Sequence, residues 1–507
     1  MSSKNLLFSP DAIYQRATLL YQSGQLEKAA KLYKDLIKRF PRRSEFLTDL
    51  GTIALQLGNI EEGVKLLERS LESAPDQAMA YSNCGIGLQY LNRFDEALAC
   101  YDRALALNPN LAEAWSNRGF ILHNLKRPDE ALESCDRAIA LQPNLTQAHV
   151  NRSSTLKDLC RLEEALSSAD RALALNSRLA EAHINRGAVL KELTRFDEAL
   201  ASFDRAIALN PKLAEAHSNH GSALNNLGRF DEALASFARA IALQPGMAEA
   251  HNGRGGALNE LGRPEEAIAS IGKALALKPD LADAHNNLGL TFDYRNRLDE
   301  ALASFDRAIA LDPAMAGAYW NKALLKLLQG DFDEGWKLYE WRWKGESRNH
   351  IRHFSQPLWL GQPALAGKTL LIWPEQGLGD FIQFCRYATM AEESGAAVVL
   401  ETPASVHVHQ EELVDFSDTA ALIQEMDLVI SADTSVAHLA GALGKPVWIL
   451  LPFMPDYRWM LDRADTPWYP SATLMRQPAI GDWQSVIAEV MANLKTNTLH
   501  RFQATVQ

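Results

Sequence analysis

Ala180-Glu-Ala-His-Ile-Asn-Arg-Gly187, followed by Phe196-Asp-Glu-Ala-Leu-Ala-Ser-Phe-Asp-Arg-Ala-Ile-Ala-Leu-Asn-Pro211, decides the fold, because near-copies precede and follow it. Prolines stand at 41, 75, 109, 143, 211, 245, 279 and 313, spaced by 34 residues or a multiple of it, and the missing member, at 177, is a serine. A fixed period of this length marks stacked supersecondary units.

Small residues recur in phase within the period. Gly51, Gly85, Gly119, Gly187, Gly221, Gly255 and Gly289 form one register, and two alanine registers run from Ala97 to Ala301 and from Ala104 to Ala308. Small side chains let two helix backbones approach closely, while Leu200, Phe203 and Ile207 between them keep helical spacing. Each unit therefore reads as helix A, a short turn with Gly or Asn, and helix B. Asp-Glu opens helix B, where carboxylates suit the helix dipole, and Asn-Pro or Gln-Pro ends it. One such pair cannot bury its apolar stripe alone; stacking buries it and produces a superhelix with a long concave groove.

This pattern resembles the tetratricopeptide repeat (TPR) position by position. The resemblance covers residues 10–345, about nine to ten repeats, with degenerate units at 10–43 and 316–349 as the ends of an array require.

The 507 residues call for two or more domains. Net charge is −12, and no Lys/Arg run marks a nucleic-acid or anionic-membrane surface. The first ten residues lack the apolar core and cleavage site of a signal peptide, and no apolar run approaches the roughly 20 residues of a bilayer span. The five cysteines (Cys84, Cys100, Cys135, Cys160, Cys385) have no Cys-x-x-Cys spacing, and four stand at core-like repeat positions. The expectation is a cytoplasmic protein with no disulfide framework, no metal and no cofactor.

Asn83, Asn117, Asn151, Asn185, Asn219, Asn287 and Asn321 share one place in helix A, and only Gly253 breaks the line. Asparagine costs about 0.5–0.7 kcal/mol against alanine in a helix, so its repetition needs another cause. A ladder of carboxamides along a groove can donate to and accept from an extended peptide backbone; the array of O-linked N-acetylglucosamine transferase looks similar here, and in it such asparagines hold protein substrates. The alternative is an inter-repeat hydrogen bond that supports stacking. His149, His183, His217, His251 and His285 recur two residues before this register, where Tyr81, Trp115 and Tyr319 also stand, so they read as packing residues. The Asp102-Arg103, Asp204-Arg205 and Asp306-Arg307 pairs read as a solvated helix face.

The pattern fades at the aromatic cluster Phe332–Trp343, and residues 346–364 read as a linker. From Leu365 the pattern changes to α/β. Lys368–Trp373 reads as a buried strand, Pro374-Glu-Gln-Gly-Leu-Gly-Asp380 as a glycine-rich turn, Phe381–Ser394 as a helix and Ala396–Glu401 as a second strand. That β-α-β unit suits a ligand at the strand's carboxyl end. Asp427–Ser431 and Lys445–Leu451 read as strands, with a helix opening at Asp433-Thr434-Ser435 and a last helix over Trp483–Leu494; 496–507 is a tail. At Asp433-Thr434-Ser435, backbone N–H groups and two hydroxyls can receive a phosphate, with His438 one turn on; the alternative is ordinary capping. Asp380, at the mouth of a parallel sheet, can deprotonate a hydroxyl or be a plain helix-start acid. His407 and His409 read as an exposed loop.

Glu375–Asp380 with Gln383-Phe-Cys-Arg-Tyr387 resembles the first βα turn of GT-B glycosyltransferases of the ADP-heptose:lipopolysaccharide heptosyltransferase type. Asp433–Pro446 resembles their donor-diphosphate motif, and Asp456-Tyr-Arg-Trp459 through Pro470 resembles bacterial fusions of this domain to TPRs. The resemblance covers 365–495. It implies Asp380 as base, the Gly377 and Gly379 turn, Thr434, Ser435 and His438 on the donor phosphates, and Asp433 near the donor sugar. Four or five strands make the domain a truncated GT-B, without the family's intervening strands and their basic residue; Lys445, Arg458 and Arg463 are the substitutes. The implied function is a glycosyltransferase whose TPR superhelix binds a protein or peptide acceptor and whose Rossmann-like α/β domain uses a nucleotide-sugar donor as substrate. The alternative is a non-catalytic TPR scaffold with a degenerate glycosyltransferase domain.

Overall fold

The computed structural model describes residues 9–344, 359, 366–372, 382–383, 387–400 and 416–504. Twenty helices, from α1 (Pro10–Gln22) to α20 (Phe332–Tyr339), form ten helix–turn–helix pairs. The pair α11 (Ala180–Glu192) and α12 (Phe196–Leu209) shows why this sequence does so. Thr194 takes the left-handed φ of +60° that reverses the chain, a position held by glycine at Gly58, Gly228 and Gly330. Arg195, just before α12, forks onto Glu198 with bonds of 2.7 and 2.9 Å. Phe203 is buried and lies flat against Gly187, where an added Cβ would come within 2.5 Å of the ring. Gly85 meets Tyr101 and Gly289 meets Phe305 in the same way.

Polar bonds then tie pair to pair. Arg186 donates from Nε to Asp170 of the preceding helix B at 2.7 Å and from Nη1 to Ser202 of its own helix B at 2.8 Å. Arg118 and Arg152 repeat the arrangement. Asp102, Asp204 and Asp306, expected simply to face solvent, thus have partners sixteen residues on: Arg118 at 2.7 Å, His220 at 3.3 Å and Lys322 at 3.0 Å. The histidine register also does more than pack. In His149, His183, His217, His251 and His285, Nε2 lies 3.0–3.1 Å from the carbonyl oxygen six residues earlier, in the turn that opens the repeat. Trp115 donates its indole N–H to Pro109 O at 2.9 Å in the same register. Cys84 and Cys135 are buried, but Cys160 is exposed: it occupies a left-handed turn position, φ +57°, and not a core-like one.

The chain divides into two compact units, Met1–Leu261 and Gly262–Gln507, and the division falls inside the array. In the first, a single apolar cluster extends from Leu156 to Ala257, so neighbouring repeats share one core. The second holds the last repeats and the α/β part. There β1 (Thr369–Ile372) pairs in parallel with β2 (Ala397–Leu400), Thr369 opposite Ala397, with α21 (Tyr387–Glu393) between them in sequence. A separate parallel sheet has the order β3 (Val429–Ala432), β4 (Val447–Leu451), β5 (Ala472–Arg476). α22 (Phe416–Glu425) precedes β3, α23 (Ser435–Ala442) joins β3 to β4, and α24 (Trp483–Ala504) runs past the Leu494 end expected for it. Ile423, Ala437, Ala440, Val447, Ile449 and Leu474 build the core of this sheet. Among the described residues no helix is long and apolar enough to cross a membrane.

One carboxyl oxygen is buried without a partner. Asp293, in α17 (Ala282–Tyr294), has a buried Oδ1 with no hydrogen-bond partner among the described residues, and burial pushes its pKa up from 3.8 to about 6. Two repeats earlier, Asn225 fills this register and donates Nδ2 to Gly253 O at 3.1 Å, which a carboxylate cannot do. The folded pKa lies above the unfolded one, so ionisation costs stability progressively as pH rises from about 4 and in full above about 6. Asp293→Asn should therefore raise the unfolding free energy at pH 7 by about 1–3 kcal/mol and leave it nearly unchanged at pH 3. Denaturant titrations at the two pH values check this; the same effect at both would contradict it.

Candidate functional site

The β3–α23 turn is built by a strand that ends at Ala432 and a helix that begins at Ser435. Thr434 is the N-cap residue, in extended conformation, yet its side chain makes no capping bond. Its hydroxyl instead lies 3.0 Å from Ser431 Oγ. Among the described residues no side chain therefore caps the first turn of α23, and the N–H groups of a helix's first turn have no intrahelical acceptor. The turn thus presents uncapped N–H groups beside the exposed Thr434 and the half-buried Ser435.

His438 lies beneath this surface, not on it. The imidazole is 4% exposed, its Nδ1 is 2.8 Å from the Tyr469 hydroxyl, and its ring stacks on Trp459 with centroids 5.1 Å apart. Nε2 is 3.6 Å from Asp433 Oδ1. When the tyrosine hydroxyl donates to Nδ1, the proton sits on Nε2, facing the carboxylate. Tyr469 packs so closely on α23 that a Cβ at Gly441 would meet its ring at 2.4 Å, so this helix needs glycine there. Burial alone would raise the Asp433 pKa; its interactions with His438 and Trp459 and the positive charge of Arg458 outweigh it and hold the carboxyl below its ordinary value.

Of the three basic residues offered as substitutes, Arg458 is the one whose charge reaches Asp433. Its Nη1 is 2.6 Å from Asp456 Oδ1 and its guanidinium lies over the Tyr457 ring. Lys445 donates to Gln424 O and Arg463 pairs with Asp465 at 2.7 Å. Trp459 and Tyr469 were legible only as members of an aromatic tail; nothing in their spacing points to His438. Gly377, Gly379 and Asp380, with His407, His409 and Cys385, lie outside the described residues. Among the described residues no group of three or more His, Cys, Asp or Glu could hold a metal ion.

The asparagine register bonds to the repeat before it. Asn83 donates Nδ2 to Thr52 Oγ1 at 2.9 Å, and Asn185 to Ser154 Oγ at 2.9 Å. Buried Asn151 donates to Ser116 O at 3.0 Å and accepts from Gln147 at 3.1 Å, and Asn321 donates to Asn286 Oδ1 at 2.9 Å. Asn117 interacts with Tyr101 of the preceding helix, and Asn219 and Asn287 are half-buried in the same register. A carboxamide has two donors and an acceptor oxygen, so an inter-repeat bond does not exhaust it.

Two outcomes follow from these geometries. Asn151→Ala should lower the unfolding free energy by about 1–2 kcal/mol, because it removes a buried hydrogen-bonded group; a neutral effect in denaturant titration would show that the bond does not support stacking. Asp433 has a depressed folded pKa, so its stabilisation is present above the unfolded carboxylate range and is lost as pH falls through the folded value. Asp433→Asn should melt below wild type at pH 7, with the gap closing towards pH 3; an equal gap at both would mean that the charge contributes nothing.

Tetratricopeptide repeat models match residues 14–78, 88–154, 180–213, 218–282 and 282–315, and a glycosyltransferase family 9 (heptosyltransferase) model matches 401–452. Protein FlbA of Caulobacter vibrioides is 33% identical over 81 residues, 16% of this chain and only 13% of FlbA. Among solved structures, YrrB, described as a TPR protein with an unusual peptide-binding site, is 27% identical over 36% of this chain and 95% of its own, with a TM-score of 0.29. A thermophilic TPR protein of Thermus thermophilus is 30% identical over 36% of this chain and all of its own, with a TM-score of 0.33. The Cut9–Hcn1 hetero-tetramer structure gives 14% identity over 62% of this chain and 76% of that one, with a TM-score of 0.46. With ten helix pairs in phase with these matches, the chain belongs to the tetratricopeptide repeat proteins and carries after its array a segment, with a parallel sheet, that matches the glycosyltransferase family 9 (heptosyltransferase) model.

Proposed function

We propose that this is a glycosyltransferase-like protein whose array binds a protein or peptide and whose β3–α23 turn receives the diphosphate of a nucleotide sugar. The observation that carries the reading is the uncapped first turn of α23, which lies within the family 9 match. Phosphate oxygens suit free N–H groups at a helix N-terminus, and the Thr434 and Ser435 hydroxyls can add hydrogen bonds. Ionised Asp433, held by His438, can accept from a sugar hydroxyl, and Arg458 supplies positive charge nearby. His438 then acts as a positioning residue and does not itself touch phosphate. In transfer, the acceptor hydroxyl attacks the anomeric carbon as the bond to diphosphate breaks, and a base takes the hydroxyl proton; by resemblance that base is Asp380. The carboxamide oxygens along helix A, apart from that of buried Asn151, which accepts from Gln147, are the acceptors offered to an extended peptide's N–H groups.

A second reading, a binding scaffold without turnover, is favoured by the small sheets: two strands and three among the described residues, where GT-B chemistry uses two full Rossmann-like halves. Calorimetric titration of ADP-heptose, UDP-sugars and GDP-sugars separates the two. Saturable binding of one donor is expected, weakened about tenfold, or about 1.4 kcal/mol, in the doubly substituted Thr434→Val/Ser435→Ala protein. Folded wild-type protein that binds none of the donors, or a double variant that binds as well as wild type, would refute the site. Donor hydrolysis that does not change in Asp380→Ala would leave binding and remove catalysis by that residue.

A further inference from the structure

The residues that hold the turn reach beyond the sheet. In the 3-10 turn Tyr457–Trp459, the two aromatic side chains serve different neighbours. Trp459 stacks on His438. Tyr457 is buried in one apolar cluster with Phe305, Leu327, Leu328 and Tyr339 of the last repeats. Its ring stands edge-on to Trp336, centroids 6.0 Å apart, and lies 6.2 Å from Tyr339. Trp468 makes a second bridge: its indole N–H donates to Arg458 O at 2.6 Å, and its ring meets Phe332 at 6.1 Å. Beside them the Met460 methyl comes within 2.8 Å of the point where a Cβ on Gly330 would stand, in the left-handed turn (φ +82°) between α19 (Ala316–Leu328) and α20.

We propose that the last repeat is a positioning element of the β3–α23 site: Trp336 and Phe332 hold the Tyr457–Trp468 segment, that segment holds His438, and His438 holds Asp433. Edge-to-face ring pairs are directional as well as apolar, so loosening either bridge lets the segment rotate and not merely drift. The apolar face that α19 and α20 would show to a further repeat is covered instead by Tyr457, Met454 and Leu461. The meaning of this link for donor binding rests on the function proposed above; the link itself does not.

Hydrogen–deuterium exchange on the full chain tests it. Trp336→Ala should speed exchange over residues 433–443 about tenfold, through more frequent local opening. Phe332→Leu, a milder change that keeps the fold should Trp336→Ala unfold it, should speed the same segment by a smaller factor. Phe237→Leu, a comparable core change in the first unit, should leave that segment at the wild-type rate. Faster exchange confined to 332–339, or equal acceleration by Phe237→Leu, would overturn the proposal. ADP serves as the ligand probe: its affinity should fall with Trp336→Ala while the purified protein keeps its helical circular dichroism. Coupled exchange in a protein that binds none of ADP, UDP and GDP would sustain the link and refute the phosphate reading alone.

Discussion

The array depends on one contact, a side chain of helix B, in several repeats a ring, laid on a glycine of helix A. At Gly187 the Phe203 ring occupies the space a Cβ would need, and Gly85, Gly221 and Gly289 receive Tyr101, Phe237 and Phe305 alike. Such an approach brings the paired helices close enough for Ala199 and Ala206 to be wholly buried. A pair so joined still shows an apolar face on each side, and only a neighbour can cover it. Period, stacking and shared core all follow from that requirement. The polar ladders then set how the neighbour is placed: arginine to the preceding aspartate, histidine to the carbonyl of its own opening turn, asparagine to the preceding helix A.

An array must also end. At its C-terminal end, cover comes from the α/β part: Tyr457, Met454 and Leu461 enter the cluster built by the last repeats. The same short turn carries Trp459 into the core of the three-stranded sheet. Capping the solenoid and shaping the β3–α23 turn are therefore one packing problem solved by neighbouring residues. This explains why the aromatic density of Tyr457–Tyr469 exceeds what so small a sheet needs.

The repeat was legible because its signals are local and periodic: glycine, alanine and proline in phase. The positions of β1 to β4 were legible to within a few residues, and so was the helix start at Ser435, whereas β5 and α22 were not placed. What escaped were contacts whose partner is backbone or distant. The histidine register read as packing because its acceptor is a carbonyl, which leaves no mark in the sequence. The aspartates read as solvated because their partners, Arg118, His220 and Lys322, lie sixteen residues away, on the next helix. Cys160 read as core because its neighbours in the repeat are, whereas the turn places it in solvent. His438 read as a phosphate ligand from its helical spacing and from the family resemblance; the structure buries it against Tyr469, 31 residues on. Thr434 hydrogen-bonds Ser431, a choice between two short-range partners that composition does not decide.

The central claim is that the uncapped turn opening α23 takes a diphosphate. A crystal structure of the full chain grown with a saturating sugar nucleotide tests it most directly. The predicted result is a phosphate oxygen within hydrogen-bonding reach of the backbone N–H groups of Ser435 and Val436, with the Thr434 hydroxyl turned from Ser431 towards it and His438 unmoved on Trp459. A nucleotide bound elsewhere, or a turn that stays empty at saturation with its Thr434–Ser431 bond intact, would contradict it.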